Sequence, residues 1–497
     1  MRGTKAHRLR PLDLSPFRPE LDALTPDRRA ALDAVLTGAS LAEIADRLAA
    51  GTLTAEELTL GALDRIDRFD GALGAVVEVD PGCLADARAA DRRRRGGGVL
   101  GPLDGVPVTV KDNIGTAGPM RTTGGAMVLA DHVATADAAV VAALRRAGAI
   151  VVGKANLSEL AGAVCKTPGV SAVGGPTRNP YGTDYSSGGS SSGSAVAVAA
   201  GLCVVSVGTE TSGSLLAPSA FCGVVGIKPT VGRASGDGVI PLVRRQDTPG
   251  AVGRSVADAA TLLAALSDVD VDPATLDAAA LAGVRVGVLR DDILTQQSPF
   301  EDTSDAEAVL GRIMDGLTGA GATTVPVTLP SDRAGAFEAA FTRVVLGGLT
   351  WDTTDYLRAS GTGVDDLPGL QRFNLADPKG RMPQGQLFVD LAALYGISRQ
   401  DYETSSRRAG EEAVAILEAA FADAGTDLLV SITNRHSSLY ATGGYPAVTV
   451  PLGVRSDGMP TGVTMIGRRG DDARLVGRAF AFEQATRLRV PPPVDPR

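Results

Sequence analysis

The chain has 497 residues, 44% of them apolar and 21% charged, with a formal charge of −9 at neutral pH. Its length and apolar content permit a sizeable core, while the acidic balance disfavours nucleic acid as a partner, because neutralising phosphates needs concentrated lysine and arginine. No apolar stretch approaches the ~20 residues that cross a bilayer, and the four cysteines (Cys83, Cys165, Cys203 and Cys222) have no CxxC spacing, which argues against a disulfide framework or a zinc site. The N-terminus has basic residues but neither the apolar core nor the cleavage site of a secretory signal, so the expected location is cytoplasmic, without membrane association.

Residues 1–38 read as an extension with one short helix, opened by Thr25 as N-cap and Pro26 in the first turn. Two capping boxes follow, Ser40 with Glu43 and Thr54 with Glu57, each starting an amphipathic helix with Ile44 and Leu48, then Leu58 and Ile66, on the buried side. Residues 106–110 form a short apolar strand that delivers Lys111 and Asp112 at its C-terminal end. A helix is expected over 137–148, a buried strand over 149–153, and another helix from Asn156 onward. The run 195–207 reads as helix then strand. After Thr230 the pattern is turn-rich and then helical, with strands at 284–289 and 323–329 around a helix at 304–317 opened by Ser304 and Glu307. Residues 334–424 are mostly helical, broken by a Gly/Pro/Asp-rich stretch at 361–385. Strands at 427–433, 447–451 and 462–467 precede a closing helix at 473–486. Alternating elements of this length predict an α/β chain, with a large mixed sheet covered by helices on both faces. No repeat or linker appears, so 39–497 is expected to be one domain.

Two clusters of small residues flank the run at 195–207. In the first, Gly188, Gly189 and Gly193 surround Ser190, which suggests a tight turn with an exposed hydroxyl. In the second, Thr211-Ser212-Gly213-Ser214 follows a buried strand, and such a loop can aim several backbone N–H groups at one point, as an acyl-transfer enzyme requires. Ser/Gly clusters also make flexible linkers, but the apolar run between these two counts against that. A serine needs a neighbour to take its proton. His7 lies in the extension, His132 in an apparent loop and His436 in a polar turn, so none suits the task. A lysine serves only if it is neutral, which burial achieves. Lys111, ending an apolar strand, meets that condition, although its residues alone leave open a solvated lysine or one paired with Asp112; Lys154 and Lys228 are its rivals. The letters GxSxG occur around Ser191 without a leading strand or partner histidine, and SxxK, Walker and HExxH patterns are absent. Ser191, Ser192 and Ser194 are read as caps of the following helix, and Thr209 and Ser187 as groups that orient a proton relay or satisfy local backbone.

The blocks GPLDGVPVTVKDNI (101–114), GGSSSGSAVAVAAG (188–201), GTETSGS (208–214) and PSAFCGVVGIKPT (218–230) resemble the amidase signature hydrolases, over roughly residues 55–487. With KPTVG and QDTPG, they are most similar to the bacterial peptide amidase subgroup. The resemblance implies the amidase signature fold, with 334–424 helping to shape the pocket. It implies Ser214 as nucleophile, Ser190 as bridging serine in a cis peptide and Lys111 as base. Thr211, Ser212, Gly213 and Gly189 would line the substrate and oxyanion site. It further implies an acyl-enzyme route that releases ammonia or a small amine from a small-molecule or peptide amide, without cofactor or metal, in a monomer or homodimer. The alternatives are a glutaminase or transamidation component resembling the A subunit of glutamyl-tRNA amidotransferase, and a catalytically silent binding protein on the same scaffold. Two departures stand out: Leu216 occupies a position where many members carry arginine, leaving Glu210 without that partner, and Ser212 stands where the peptide amidase subgroup usually has an acid.

Overall fold

In the computed structural model, residues 8–165, 167–290 and 305–493 are described. The expected position of Ser304 as a helix opener, and His7, lie outside them. Eleven strands form one sheet: β1 (Val76–Val79), β2 (Pro107–Lys111), β3 (Ile150–Ala155), β4 (Val205–Glu210), β5 (Val225–Lys228), β6 (Thr248–Gly253), β7 (Arg285–Leu289), β8 (Thr323–Val327), β9 (Leu428–Ile432), β10 (Ala447–Val454) and β11 (Pro460–Gly467). Their spatial order is β1-β3-β2-β4-β6-β5-β10-β11-β9-β7-β8. β2 pairs in parallel with both β3 and β4, and β7 with both β8 and β9, while the remaining neighbours are antiparallel. This is the mixed α/β sheet that the sequence pattern predicts.

Side chains of a strand alternate between faces, and here they feed two separate apolar cores. Val152 and Val252 enter one with the helices Ser192–Ala199 and Arg399–Ala424; Val151 and Ala251 enter the other with Val256–Leu266 and Asp472–Thr486. Both faces being covered explains why β3, β4 and β9 are buried along their whole length. No helix among the described residues is long and apolar enough to cross a membrane.

Local chemistry sets the helix starts. Ser40 Oγ accepts from Glu43 N at 3.2 Å while Glu43 Oε2 accepts from Ser40 N at 2.8 Å, and Thr54 and Glu57 make the same reciprocal pair. Thr25 caps Pro26–Gly38 as expected, but the segment before it also holds a helix, Arg18–Asp22, whose Leu21 is buried beside Phe17 in the first core.

Three expectations are corrected. No α-helix follows Asn156, only a 3-10 turn at Glu159–Gly162. Leu160 N, the first that would bond within such a helix, is spent on Gly124 O at 2.7 Å, Leu157 N and Ser158 N go to Asn156 Oδ1 and Ser190 O, and Leu160 and Ala161 take left-handed φ values of 45° and 60°. The stretch at 361–385 contains two helices, Leu367–Leu375 and Pro378–Arg381, because Asp366 and Asp377 are N-caps that accept from Gly369 N and Gly380 N. And β6, whose sequence TPGAVG carries turn residues, is an interior strand between β4 and β5.

Gly193 sits where Ser192–Ala199 crosses the loop after β3. A Cβ there would stand 2.4 Å from Ala75 O, 2.4 Å from Asn156 N and 2.5 Å from Asn156 O, all of them main-chain atoms. Gly193→Ala is therefore expected to lower stability by about 3 kcal/mol, read as a lower urea midpoint at unchanged slope.

Candidate active site

β2 and β4 run side by side in parallel, so their C-terminal ends present Lys111 and the segment after Glu210 at one edge of the sheet, where open α/β sheets gather their chemistry. Lys111 is fully buried. Its Nζ lies 2.7 Å from Ser190 Oγ, 2.8 Å from Thr209 Oγ1 and 3.3 Å from Thr209 O, and none of these partners is a carboxylate. Burial lowers its pKa from the ordinary 10.5 to about 7, opposed by the charges of Asp247 and Glu210. Asp112, the partner that sequence alone left open, turns away: its oxygens take Thr123 N and face Lys154 at 3.8 Å. Lys154 donates to Thr122 Oγ1 at 2.9 Å, and Lys228 to Tyr445 O at 2.8 Å and Pro229 O at 3.0 Å, so neither rival reaches a serine of the two clusters. Of the histidines, His132 meets the Tyr356 hydroxyl and His436 the Ser431 hydroxyl.

The Gly189–Ser190 peptide bond is cis. Ser191 N donates to Ser214 O at 2.8 Å, which sets the two serine loops against each other. Lys111 and Ser190 are thus in hydrogen-bond contact, and the Ser214 main chain is bonded to the residue after Ser190, while the Ser214 hydroxyl makes no hydrogen bond among the described residues. Ser191, Ser192 and Ser194 do not cap the helix with their side chains. They tie it to its neighbours: Ser191 Oγ donates to Thr209 O and accepts from Thr209 N, Ser194 Oγ donates to Val207 O and Ser192 Oγ to Thr177 Oγ1. Ser187 satisfies local backbone through Thr177 O. Thr209 does face the lysine, and Asn113 Nδ2 donates to the same hydroxyl oxygen at 3.1 Å.

From Thr211 to Ser214 three of the carbonyls and the side chains of Thr211 and Ser212 are occupied, and the N–H groups are not. Thr211 O accepts from Gln246 Nε2, Gly213 O from Ala217 N and Ser214 O from Ser191 N, and Ser212 Oγ reaches Ser437 Oγ at 3.3 Å. Among the described residues, the four N–H groups of Thr211, Ser212, Gly213 and Ser214 have no partner. Gly213 needs its glycine, because its φ is +71° and a Cβ would come within 2.5 Å of Asn434 Nδ2. Gly189 likewise has no room, with Ser158 Oγ 2.3 Å from where a Cβ would be. Glu210, lacking an arginine, holds the loop from behind: its Oε2 accepts from Leu215 N at 2.9 Å and Leu216 N at 3.0 Å. The Tyr440 phenol faces it, and burial and then this charge push that phenol well above its usual range.

The sequence reading passed over Asn113, Gln246 and Asp247, although all three stand inside blocks it quoted. Asn434 and Ser437 carried no local signal, since more than 200 residues separate them from the loop they touch.

The profile of the family described as amidase matches residues 57–358. A protein of Arabidopsis thaliana described as a probable amidase is 34% identical over 467 residues, covering 88% of each chain. The A chain of the glutamyl-tRNA(Gln) amidotransferase of Synechococcus is 32% identical over 90% of this chain and 97% of its own length. The crystal structure of native peptide amidase from Stenotrophomonas maltophilia superposes with a TM-score of 0.83 at 37% identity, covering 92% of this chain and 99% of that one.

The folded chain releases the Lys111 proton near pH 7, whereas the unfolded chain holds it to about 10.5. Between these values the unfolded state binds more protons, so stability rises with pH by ~1.4 kcal/mol per unit from this group. Lys111→Met is expected to lack that slope, so urea midpoints at successive pH values should show the variant's advantage shrinking as pH rises.

Proposed function

The chain belongs to the amidase signature family of amide-hydrolysing enzymes, and we propose that Ser214 is its nucleophile, Ser190 its proton bridge and Lys111 its base. The observation that supports this most directly is the 2.7 Å contact between the buried Lys111 Nζ and Ser190 Oγ, made without any carboxylate on the amine. An amine neutral near pH 7 accepts a proton, and a serine beside it passes one on.

In the cycle that follows from these roles, a substrate carbonyl enters over the 211–214 loop and the Ser214 hydroxyl turns onto Ser190. Ser214 Oγ bonds to the carbonyl carbon while its proton moves to Ser190 and the Ser190 proton moves to Lys111. The oxyanion rests on the unbonded N–H groups between Thr211 and Ser214; one such donor contributes ~3 to 4 kcal/mol to the transition state. The C–N bond then breaks as Lys111 returns a proton through Ser190 to the leaving nitrogen, which departs as ammonia or a small amine. Water attacks the acyl-Ser214 ester, giving one proton to the same relay, and the acid leaves as Ser214 regains its hydrogen.

The likeness to peptide amidase supports a carboxamide whose acyl part is a peptide or a small molecule. Ser212, paired with Ser437, leaves that part of the pocket without the acid of the subgroup, which supports an acyl group lacking a positive charge there. The likeness to the amidotransferase A chains supports a second reading, release of ammonia for a partner. Leu216, with Glu210 held by peptide N–H groups, speaks for the first.

A fluorophosphonate should label Ser214 in the wild type and not in Ser214→Ala. Lys111→Ala should lower kcat/KM by ~100- to 10,000-fold, and the wild-type kcat/KM should rise with pH through an apparent pKa near 7. Ammonia release from a panel of peptide carboxamides and small amides identifies the acyl group. Near-normal turnover in Lys111→Ala would remove the lysine from the mechanism.

A further inference from the structure

Thr211 is gripped twice by a segment outside the relay. Its hydroxyl donates to Asp247 Oδ1 at 2.6 Å, and its carbonyl accepts from Gln246 Nε2 at 2.8 Å. Asp247 is itself fixed. Its other oxygen accepts from Leu242 N at 2.8 Å and Val243 N at 2.9 Å, and the N–H groups of Gln246 and Asp247 both return to Val243 O. The turn then runs into β6, where Thr248 pairs with Glu210, so both grips fall on the first residue beyond β4. Asp247 also lines a small cavity with Asn113 and Thr209, the groups around the lysine.

We propose that Gln246 and Asp247 form a positioning clamp that, acting through Thr211, aims the N–H groups of residues 211–214 at the developing oxyanion. The inference rests on the hydrolase reading above. Donors stabilise an oxyanion only if they are oriented before the charge appears, and a hydroxyl bonded to a carboxylate is a strong restraint on one end of a short loop. The clamp also acts through space. The charged groups that face Lys111 are Asp247 on this turn and Glu210 at the end of β4; both favour the protonated amine, against burial. Asp247 in turn faces Asp352, and burial first, then that charge, raise its own pKa to about 7. Without the Asp247 charge, Lys111 loses its proton at lower pH.

The test is the rate of fluorophosphonate labelling of Ser214 in the full chain across the neutral pH range; Ser214 Oγ bonds to phosphorus, fluoride leaves and the hydroxyl proton passes to the base. Asp247→Asn should slow labelling ~100-fold, the loss expected of a small misplacement, and move the acid limb to lower pH. Thr211→Val should slow it comparably and leave the limb in place, Thr211→Ser should recover most of the loss, and the Asp247→Asn/Thr211→Val double variant should be no slower than the slower single. An unchanged rate and limb in Asp247→Asn, or losses that multiply in the double variant, would overturn the clamp while the wild-type adduct keeps the hydrolase reading. Failure of the wild type to label would overturn both. If Asp247→Asn does not fold, equal rates in Thr211→Val and Thr211→Ser overturn the clamp.

Discussion

A lysine ammonium sealed from water with no carboxylate against it is the constraint the rest of this molecule answers to. Moving its proton release from 10.5 to about 7 corresponds to roughly 5 kcal/mol against the charged form. That is comparable to the whole net stability of many domains. The other two fully buried lysines among the described residues are held differently. Lys154 has a nearby carboxylate in Asp112, and Lys228 is bound by two main-chain carbonyls. Lys111 has two hydroxyls at 2.7 and 2.8 Å and only a longer carbonyl contact at 3.3 Å; the hydroxyls accept from an ammonium and equally serve an uncharged amine, so the site favours neither form as strongly as an ion pair would. Two fully covered sheet faces supply the apolar burial that makes such a residue tolerable in the fold.

The small residues around it form a rigid frame. Each hydroxyl of Ser191, Ser192 and Ser194 is committed to a strand or a neighbouring loop, and Ser187 to a carbonyl. The second cluster is fixed through the Thr211 and Ser212 side chains and the carbonyls of Thr211, Gly213 and Ser214, which leaves its N–H groups and the Ser214 hydroxyl still seeking a partner. Rigidity with unspent donors is what separates this arrangement from a Ser/Gly linker, whose backbone would be solvated on both sides.

Much of this was legible in the sequence because it depends on neighbours in the chain. The capping boxes at Ser40 and Thr54, the strand that ends at Lys111 and the closing helix all follow from local patterns. The errors share one cause: tertiary partners outcompeted local preference. The residues after Asn156 have helical composition, but their N–H groups find Ser190 O and Gly124 O first. In β6, Pro249 and Gly250 signal a turn, yet two flanking strands impose an extended course. Asp366 and Asp377 looked like loop residues and are caps. Lys111, Ser190 and Ser214 follow from family likeness; what the residues alone do not reveal is that Asp112 turns to Lys154, or that Gln246 and Asp247 reach the loop from the turn leading into β6.

Glu210 has a consequence for how this centre responds to its medium. Its carboxylate is anchored by two peptide dipoles in place of a guanidinium, and those dipoles belong to the start of the helix Leu216–Phe221, every residue of which is buried. Dissolved ions weaken attraction between exposed charges but do not penetrate a dry contact of this kind. The curvature of the loop is therefore decoupled from ionic strength, and the position an arginine would fill is free for an aliphatic side chain that adds to the core.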